Sequence, residues 1–255
     1  MNYKYLLTGS SSGLGKFLKE ELPSLSYNRS GVNYNEIYKN KNQIIIHSAF
    51  NTNNQIYIED LDRYIDDNIN LTKKILKLPN KRIIFISSID VYPEQNSNNS
   101  EDDKINIYQT KNLYALSKLI CEDLIQKHSI KPIILRLGYL VGSYMKNSNV
   151  KKAIVGGKQK ITISSESNYN IVTYNQVLSV IRFLLFSNKK GIYNLCSNNS
   201  VKLSEICKYY NTKADFGNFQ YKSPIVSTNK IISLGENFGL DISKENLIRS
   251  LVNNI

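Results

Sequence analysis

A glycine-rich turn near the start of the chain constrains the fold more than any other feature of the sequence. The segment YLLTGSSSGLGKFLKEEL begins at Tyr5 and places Thr8, Gly9, Gly13 and Gly15 between an apolar strand and an amphipathic helix. Glycine allows a tight turn and a close approach to a pyrophosphate, and a helix N-terminus offers free N–H groups to phosphates. The lysine and serine of a P-loop are missing, so nucleoside triphosphate hydrolysis is not expected. The pattern predicts a dinucleotide-binding turn; the alternative is a turn that only packs the helix on the strand.

The rest of the chain alternates short apolar runs with helical patterns. The apolar runs cover residues 5–7, 44–46, 83–86 and 133–137. Helices are predicted over residues 15–22, 56–78, 112–127, 175–186 and 203–210, and a polar loop over 93–104. This alternation is typical of βαβ units and predicts an α/β fold, a Rossmann-type doubly wound parallel sheet with a small C-terminal substrate-binding lobe. We expect residues 1–143 to form an NAD(P)-binding region and residues 144–255 a substrate-binding lobe interleaved with the last Rossmann elements.

Composition limits the possible partners. The 255 residues, 41% of them apolar, are enough for one full core, and no run approaches the roughly 20 apolar residues of a membrane span. The formal charge of +12 comes from lysines spread along the whole chain, which favours a solvated basic surface over a nucleic-acid stripe. Three cysteines without metal-site spacing indicate neither a disulfide framework nor a zinc site. We expect a cytoplasmic protein that binds a small molecule and no metal, nucleic acid or membrane.

The residues after the second expected strand bear on cofactor choice. An NAD site usually has an acidic residue here for the ribose hydroxyls, but the sequence has Asn28, Arg29 and Ser30. Arg29 with Ser30 could hold a 2′-phosphate, so NADP(H) is favoured over NAD(H). A solvent-exposed arginine is the alternative interpretation.

A serine, a tyrosine and a lysine have the spacing of a hydride-transfer site. The strand RIIFISS ends in Ser87 and Ser88, and YALSK places Tyr114 four residues before Lys118, on one face of a helix. A phenol with a pKa of about 10 needs a nearby cation before it can exchange a proton at neutral pH, and Lys118 could supply that charge. Ser88, at the carboxyl end of its strand, could hydrogen-bond the reacting oxygen. Taken alone, YxxxK would indicate only a surface tyrosine and lysine.

These segments, taken together and in order, resemble the extended short-chain dehydrogenase/reductase family, which includes nucleotide-sugar epimerases, dehydratases and reductases. Besides TGSSSGLG, SSIDVY and YALSK, the resemblance rests on IIIHSAF, NINLT, ILRLGYLVGS, NIVTYNQVLSVIRFLL and GIYNLCSNNSVKLSEI. It runs over nearly the whole chain.

The resemblance implies a catalytic triad of Ser88, Tyr114 and Lys118, with Lys118 also contacting the nicotinamide ribose. It also implies cofactor contacts from residues in several motifs: Gly9, Ser11, Ser12, Gly13, Leu14, Ser48, Ala49, Phe50, Asn68, Ser87, Gly138 and Leu140. Two alternatives stay open: Asn68 could brace its helix and Phe50 could belong to the core. A homodimer is a further expectation from the family.

Departures from the family pattern narrow the reaction. Where 4,6-dehydratases carry an acid and a base at the strand end, this chain has Ile89 and Asp90, which disfavours dehydration. Asp90 is interpreted as a polar turn residue, and a role as a base is the alternative. The arginine of a later family segment is replaced by Tyr169, which removes one expected diphosphate contact. The leading hypothesis is an NAD(P)-dependent oxidoreductase that reduces the 4-keto group of a nucleotide-linked sugar. The alternatives are a 4-epimerase with a captive cofactor, a non-catalytic dinucleotide-binding regulator, and an enzyme for an apolar or steroid-like alcohol.

Overall fold

The structure is a computed structural model that describes residues 4–28, 31, 33–39, 43–53, 55–93, 98–155, 158–235 and 239–251. Its strands are β1 (Tyr5–Thr8), β2 (Ser24–Tyr27), β3 (Ile44–His47), β4 (Arg82–Ser88), β5 (Ile133–Leu137), β6 (Tyr139–Val141), β7 (Lys158–Ile161), β8 (Asn168–Tyr169), β9 (Ile171–Thr173), β10 (Gly191–Leu195), β11 (Val201–Lys202) and β12 (Lys213–Phe216).

The α-helices alternate with these strands, as the sequence predicted. They are α1 (Gly13–Glu21), α2 (Tyr34–Lys39), α3 (Leu61–Ile65), α4 (Leu71–Leu76), α5 (Leu113–His128), α6 (Asn149–Val155), α7 (Tyr174–Phe186), α8 (Leu203–Tyr209), α9 (Asn229–Gly235) and α10 (Lys244–Ser250). None of the helices among the described residues has both the length and the apolar character needed to cross a membrane.

The central sheet has six strands in the order β10-β5-β4-β3-β1-β2. The pairs β1–β2, β1–β3 and β3–β4 are parallel, and β1 and β3 are buried along their whole length. Strand β2 lies at the edge, and the short helix α2 connects it to β3. The predicted Rossmann-type α/β fold is confirmed. The sheet ends at β2 on one side, because residues 29–43 are too few for a further strand and helix.

A helix is present in the expected region 56–78, but it is not a continuous α-helix, because 3₁₀, α and π turns follow one another along it. A 3₁₀ turn (Ile58–Asp60) leads into α3, and a π turn (Asp66–Asn70) separates α3 from α4. The Thr72 hydroxyl, in the first turn of α4, donates to the carbonyl oxygen of Asn68 in the π turn at 2.7 Å. A side-chain bond of this type is associated with bent helices, and hydrophobic periodicity alone cannot predict it.

The chain forms two compact units. The first contains residues 1–93, 104–136 and 189–192, and its core includes Leu6, Ile45, Phe85 and Ile134. The second contains residues 94–103, 137–188 and 193–255. The functions predicted for residues 1–143 and 144–255 stay predictions.

The second unit has its own core and includes part of the segment predicted as a loop. Val141, Ile171 and Leu203 belong to that core. Within the described residues 98–103, Asn99 and Glu101 are buried, and Glu101 accepts a hydrogen bond from the Asn194 backbone at 2.7 Å. The predicted polar loop over 93–104 is therefore a loop in its described part, and long-range hydrogen bonds hold it in place although its own sequence is polar.

Candidate active site

The glycine turn joins β1 to α1 with little room for side chains. Gly9 has a φ of +72°, and a Cβ built on it would lie 2.8 Å from the Ala49 backbone nitrogen. A Cβ on Gly15 would lie 2.1 Å from the Gly9 carbonyl oxygen. Both contacts are shorter than atoms tolerate, so the turn requires glycine at these positions.

The start of α1 suits an anionic ligand. Ser12 precedes the helix without a side-chain capping bond, and the first turn contains no acidic residue. Ser11 and Ser12 are exposed, whereas the Leu14 side chain is buried and can offer only its backbone N–H. The N–H groups of the first turn have no acceptor inside a helix, which is how helix N-termini bind phosphates. The turn thus fits the pyrophosphate of a dinucleotide.

A buried polar chain links the ends of β1 and β3. Thr8 Oγ1 accepts from the backbone nitrogens of Ser48 and Ala49 at 3.1 and 3.0 Å and lies 2.8 Å from His47 Nδ1. His47 Nε2 lies 2.9 Å from Thr72 Oγ1. Because the Thr8 hydroxyl must donate to Nδ1, the imidazole proton belongs on Nε2. Burial, followed by the nearby Lys118 charge, lowers the pKa of His47 to about 3, so the ring is neutral.

The residues after β3 are held by Asn68. Its side-chain oxygen accepts from the Asn51 nitrogen at 2.7 Å, and its side-chain nitrogen donates to the Asn51 oxygen at 3.3 Å. Asn68 is fully buried. Both ends of the Asn68 amide are therefore engaged in bracing the segment that carries Phe50, and its cofactor contact stays a prediction.

The end of β4 carries two serines in different environments. The buried Ser87 hydroxyl donates to Glu122, so this side chain ties β4 to α5. Ser88 Oγ accepts from the Asp90 backbone nitrogen at 3.1 Å and donates to Asp90 Oδ2 at 3.3 Å. Ser88 also shares a hydrogen bond with the Tyr114 phenol. Of the two serines, Ser88 is the one that contacts the catalytic tyrosine candidate.

Helix α5 supplies Tyr114 and Lys118. Asn112 caps the helix by accepting from the Ala115 nitrogen at 2.9 Å, which fixes the first turn and Tyr114 with it. Burial, together with the charge of Asp90, raises the pKa of Tyr114, and the bond with Ser88 opposes this effect. The phenol is therefore protonated at neutral pH.

Aromatic rings surround the Lys118 ammonium group. Its Nζ donates to the Ile86 carbonyl oxygen at 2.7 Å and lies 3.6, 4.8 and 5.6 Å from the ring centroids of Phe50, Phe85 and Tyr114. Burial lowers the pKa of Lys118 to about 7. Phe50 thus has a specific contact that the sequence did not indicate: its ring covers the lysine and meets the Tyr114 ring edge-on at 5.7 Å.

A buried ion pair supports this arrangement, and sequence reasoning missed it. Arg136 Nη2 lies 2.7 Å from Glu122 Oε2, and Arg136 Nη1 donates to the Tyr92 hydroxyl at 2.8 Å. Glu122 stands four residues after Lys118, and its charge raises the pKa of that lysine, against the effect of burial. A charged residue inside the apolar strand β5 was the available signal, because buried charges require partners.

The remaining predicted residues either belong to the second unit or are not among the described residues. Gly138 and Leu140 belong to the second unit, where a Cβ on Gly138 would lie 2.2 Å from the Asn170 carbonyl oxygen and Leu140 pairs with Val172. Arg29, the predicted reader of a 2′-phosphate, lies outside the described residues together with Ser30. The described part of the chain contains no group of three or more His, Cys, Asp or Glu side chains arranged to hold a metal ion.

The first unit therefore brings Ser88, Tyr114 and Lys118 together beside a glycine turn that fits a dinucleotide. A protonated phenol hydrogen-bonded to a serine can donate a proton to an oxygen that gains electrons. A buried lysine with a pKa of about 7 can change charge near neutral pH. This combination is suited to proton transfer coupled to hydride transfer.

The fold matches solved structures of sugar-nucleotide enzymes. dTDP-4-dehydrorhamnose reductase from Bacillus anthracis, in complex with NADP, is 18% identical, with 99% of each chain covered and a TM-score of 0.82. UDP-N-acetylglucosamine 4-epimerase from Methanobrevibacter ruminantium is 16% identical over 99% of this chain and 97% of its own, with a TM-score of 0.77. UDP-glucuronic acid 4-epimerase from Bacillus cereus, in complex with UDP-glucuronic acid and NAD, is 14% identical over 98% of each chain, also with a TM-score of 0.77.

The family assignment rests on the sequence itself. No curated protein sequence matches the chain significantly. The model of the NAD-dependent epimerase/dehydratase family, however, matches residues 6–171, which is more than half of the chain and includes the glycine turn, Ser88, Tyr114 and Lys118. The chain therefore belongs to the NAD-dependent epimerase/dehydratase family, which confirms the expected extended short-chain dehydrogenase/reductase type and its nicotinamide dinucleotide cofactor.

Proposed function

We propose that this protein is an NADP(H)-dependent reductase that converts a keto carbon of a nucleotide-linked sugar, at C4, into a hydroxyl. The observation that carries this proposal is the contact between Ser88 and the protonated Tyr114 phenol, one helical turn from Lys118. The sugar is proposed because the reductase and epimerases with the same fold are named for sugars linked to dTDP or UDP. A cytoplasmic location and a homodimer stay predictions.

The bound nicotinamide would supply or accept the hydride. Tyr114 would donate its proton to the oxygen of the reduced carbon, since its phenol is protonated at neutral pH. Ser88 would hydrogen-bond that oxygen as negative charge develops on it. Lys118 would carry positive charge next to the phenol and contact the nicotinamide ribose.

The glycine turn would bind the pyrophosphate of the cofactor. Gly9 and Gly13 would let the backbone approach it, and the free N–H groups at the start of α1 would donate to its oxygens. Ser11, Ser12, Leu14, Ser48 and Ala49 would contribute contacts around this turn. Arg29 is proposed as the reader of the 2′-phosphate, and Gly138 and Leu140 as residues near the nicotinamide.

The proposal is tested by following NADPH oxidation by the purified protein with a nucleotide-linked 4-keto sugar. The Tyr114→Phe variant should lose at least about a hundredfold in turnover, because it cannot supply the proton. Tyr108→Phe is the matched control: Tyr108 is 92% exposed, so removing its hydroxyl should leave turnover unchanged. Full turnover of Tyr114→Phe would refute the role of the tyrosine.

A 4-epimerase is the second candidate, since two of the similar structures are 4-epimerases. An epimerase oxidises and re-reduces the same carbon and keeps its cofactor. Mass spectrometry of the nucleotide released from denatured protein separates the two candidates. Stoichiometric NAD(H) or NADP(H) would favour the epimerase, and an empty protein that binds NADPH more tightly than NADH would favour the reductase.

A further inference from the structure

The Phe50 ring lies directly over the ammonium group of Lys118. The distance from Nζ to the Phe50 ring centroid is 3.6 Å, compared with 4.8 Å to Phe85 and 5.6 Å to Tyr114. An approach this close to a centroid places the ammonium group over the face of the ring, which carries the negative part of the ring quadrupole. Among the described residues, Phe50 therefore makes the nearest aromatic contact with this lysine.

The Lys118 ammonium group is buried and needs partners. Lys118 is 3% exposed, and its hydrogen-bond acceptor among the described residues is the Ile86 carbonyl oxygen, 2.7 Å from Nζ. An ammonium group has three protons to donate, and a buried charge with too few partners is costly. The face of the Phe50 ring therefore supplies a second partner for the positive charge.

Contacts with neighbouring residues hold the Phe50 ring in this place. It meets the Tyr114 ring edge-on, with centroids 5.7 Å apart and planes at 86°, and its centroid lies 6.3 Å from that of Phe85. Edge-to-face pairs of this kind are a favoured arrangement of aromatic rings. The backbone of the next residue is held by Asn68, whose side-chain oxygen accepts from the Asn51 nitrogen at 2.7 Å. The ring is therefore fixed in contact with both the phenol and the ammonium group.

We propose that Phe50 is a positioning residue that keeps Lys118 charged beside the Tyr114 phenol, by presenting the face of its ring to the ammonium group. This inference rests on the proposed function. Burial lowers the pKa of Lys118 to about 7, so at neutral pH a modest interaction decides how much of the charge is present. The contact serves both directions of a reversible hydride transfer alike, because it acts on the catalyst and not on the equilibrium between the substrates.

The other titratable groups that act on Lys118 in the described part of the chain do not depend on this ring. Against the effect of burial, Cys121 and Glu122 on the same helix raise the pKa of Lys118. His47 on β3 is neutral, because burial lowers its pKa to about 3, and the Tyr114 phenol is protonated. A replacement confined to the ring leaves these groups in place, so a shift in the pKa of Lys118 reports the loss of the ring face.

The test measures the pKa of Lys118 in protein without cofactor or substrate. The Nζ resonance of Lys118 is followed with pH by nuclear magnetic resonance and is assigned as the one lost in Lys118→Arg. Phe50→Leu keeps an apolar side chain but removes the ring face, so the pKa should fall by about one unit, and the charged fraction at pH 7 from about one half to about one tenth. Phe50→Tyr, which keeps a ring face, and Phe186→Leu, which removes a ring that is 91% exposed, should titrate like wild type.

A fluorinated ring separates the electrostatic contact from packing. A trifluorinated phenylalanine at position 50 keeps the shape of the ring but withdraws electron density from its face, so the pKa of Lys118 should fall while the unfolding midpoint stays near that of wild type. A lower pKa supports the inference even if no sugar is reduced. If turnover is found, its alkaline limb should move to lower pH by the same amount. An unchanged or higher pKa with the fluorinated ring would overturn the inference even if the protein proves to be a reductase.

Discussion

Replacing Arg136 by methionine should destabilise the protein strongly at neutral pH. Arg136 and Glu122 have side chains that are 5% and 2% exposed, and the guanidinium makes three contacts with the carboxylate at 2.7, 3.2 and 3.2 Å. Methionine fills similar space but leaves the Glu122 carboxylate with the Ser87 hydroxyl as its remaining donor from this network. Breaking a buried pair in this way costs about 3–5 kcal/mol of the free energy of unfolding.

The loss should depend on pH with a defined sign. In Arg136→Met the buried Glu122 carboxylate has no cation beside it, so the folded state favours the protonated, neutral carboxyl. The loss of stability is therefore largest at neutral pH, where the unfolded chain releases that proton, and smallest in acid, where the folded and unfolded chains both hold it. The variant should differ least from wild type at about pH 4 and below. Adding Glu122→Gln should recover part of the loss at neutral pH.

Urea unfolding followed by far-ultraviolet circular dichroism measures this effect, since the chain contains no tryptophan. The matched control is Lys127→Met, which breaks the pair between Lys127 and Asp123 on the same helix, where the side chains are 66% and 58% exposed. Exposed pairs often contribute nothing measurable, so this control should unfold like the wild type. If Arg136→Met unfolded at the same urea concentration as Lys127→Met, the structural role of the buried pair would be refuted.

Three further predictions follow from the cofactor turn and the buried titratable groups. Gly15→Ala should weaken NADPH binding at least about tenfold, because its Cβ would collide with the Gly9 carbonyl oxygen, whereas Gly31→Ala, with open space around it, should bind normally in the same titration. His47 has a pKa of about 3 in the folded state and about 6.5 when unfolded, so the protein should lose stability as pH falls from 6.5 toward 3. In unfolding midpoints, His47→Gln should be less stable than wild type at neutral pH but should lose less stability on acidification. Lys118 releases its proton near pH 7 when folded and near 10.5 when unfolded, so the free energy of unfolding of the wild type should rise between these pH values. For Lys118→Met the free energy of unfolding should change less with pH. Parallel pH profiles of the two proteins would contradict the burial of the ammonium group.

The sequence was sufficient to predict the fold, because the apolar runs and the glycine turn indicated the same alternation of strands and helices. Apolar runs predicted β1, β3, β4 and β5, and the glycine turn had to join a strand to a helix for steric reasons that the structure reproduces. The YxxxK spacing likewise placed Tyr114 and Lys118 on one helix face, since that relation depends only on helix geometry.

The environment of these residues could not be predicted in the same way. The ring of Phe50 over Lys118 and the carboxylate of Asp90 beside Ser88 depend on contacts between segments distant in sequence or on the conformation of a short turn. The bond from the Thr72 hydroxyl to the Asn68 carbonyl oxygen at the π turn is of a kind that periodicity does not register. Arg136 did carry a signal, a cation in a buried strand, that pointed to a partner without identifying Glu122.

The most direct test of hydride transfer to a sugar carbon uses NADPH deuterated at C4 of the nicotinamide, with a nucleotide-linked 4-keto sugar as substrate. The sugar product should gain one deuterium at C4 by mass spectrometry, and Tyr114→Phe should form it at least about a hundredfold more slowly. If the protein binds NADPH but leaves the sugar unlabelled, and wild type and Tyr114→Phe give the same result, then Ser88, Tyr114 and Lys118 are not a catalytic site. That result would favour a non-catalytic dinucleotide-binding regulator.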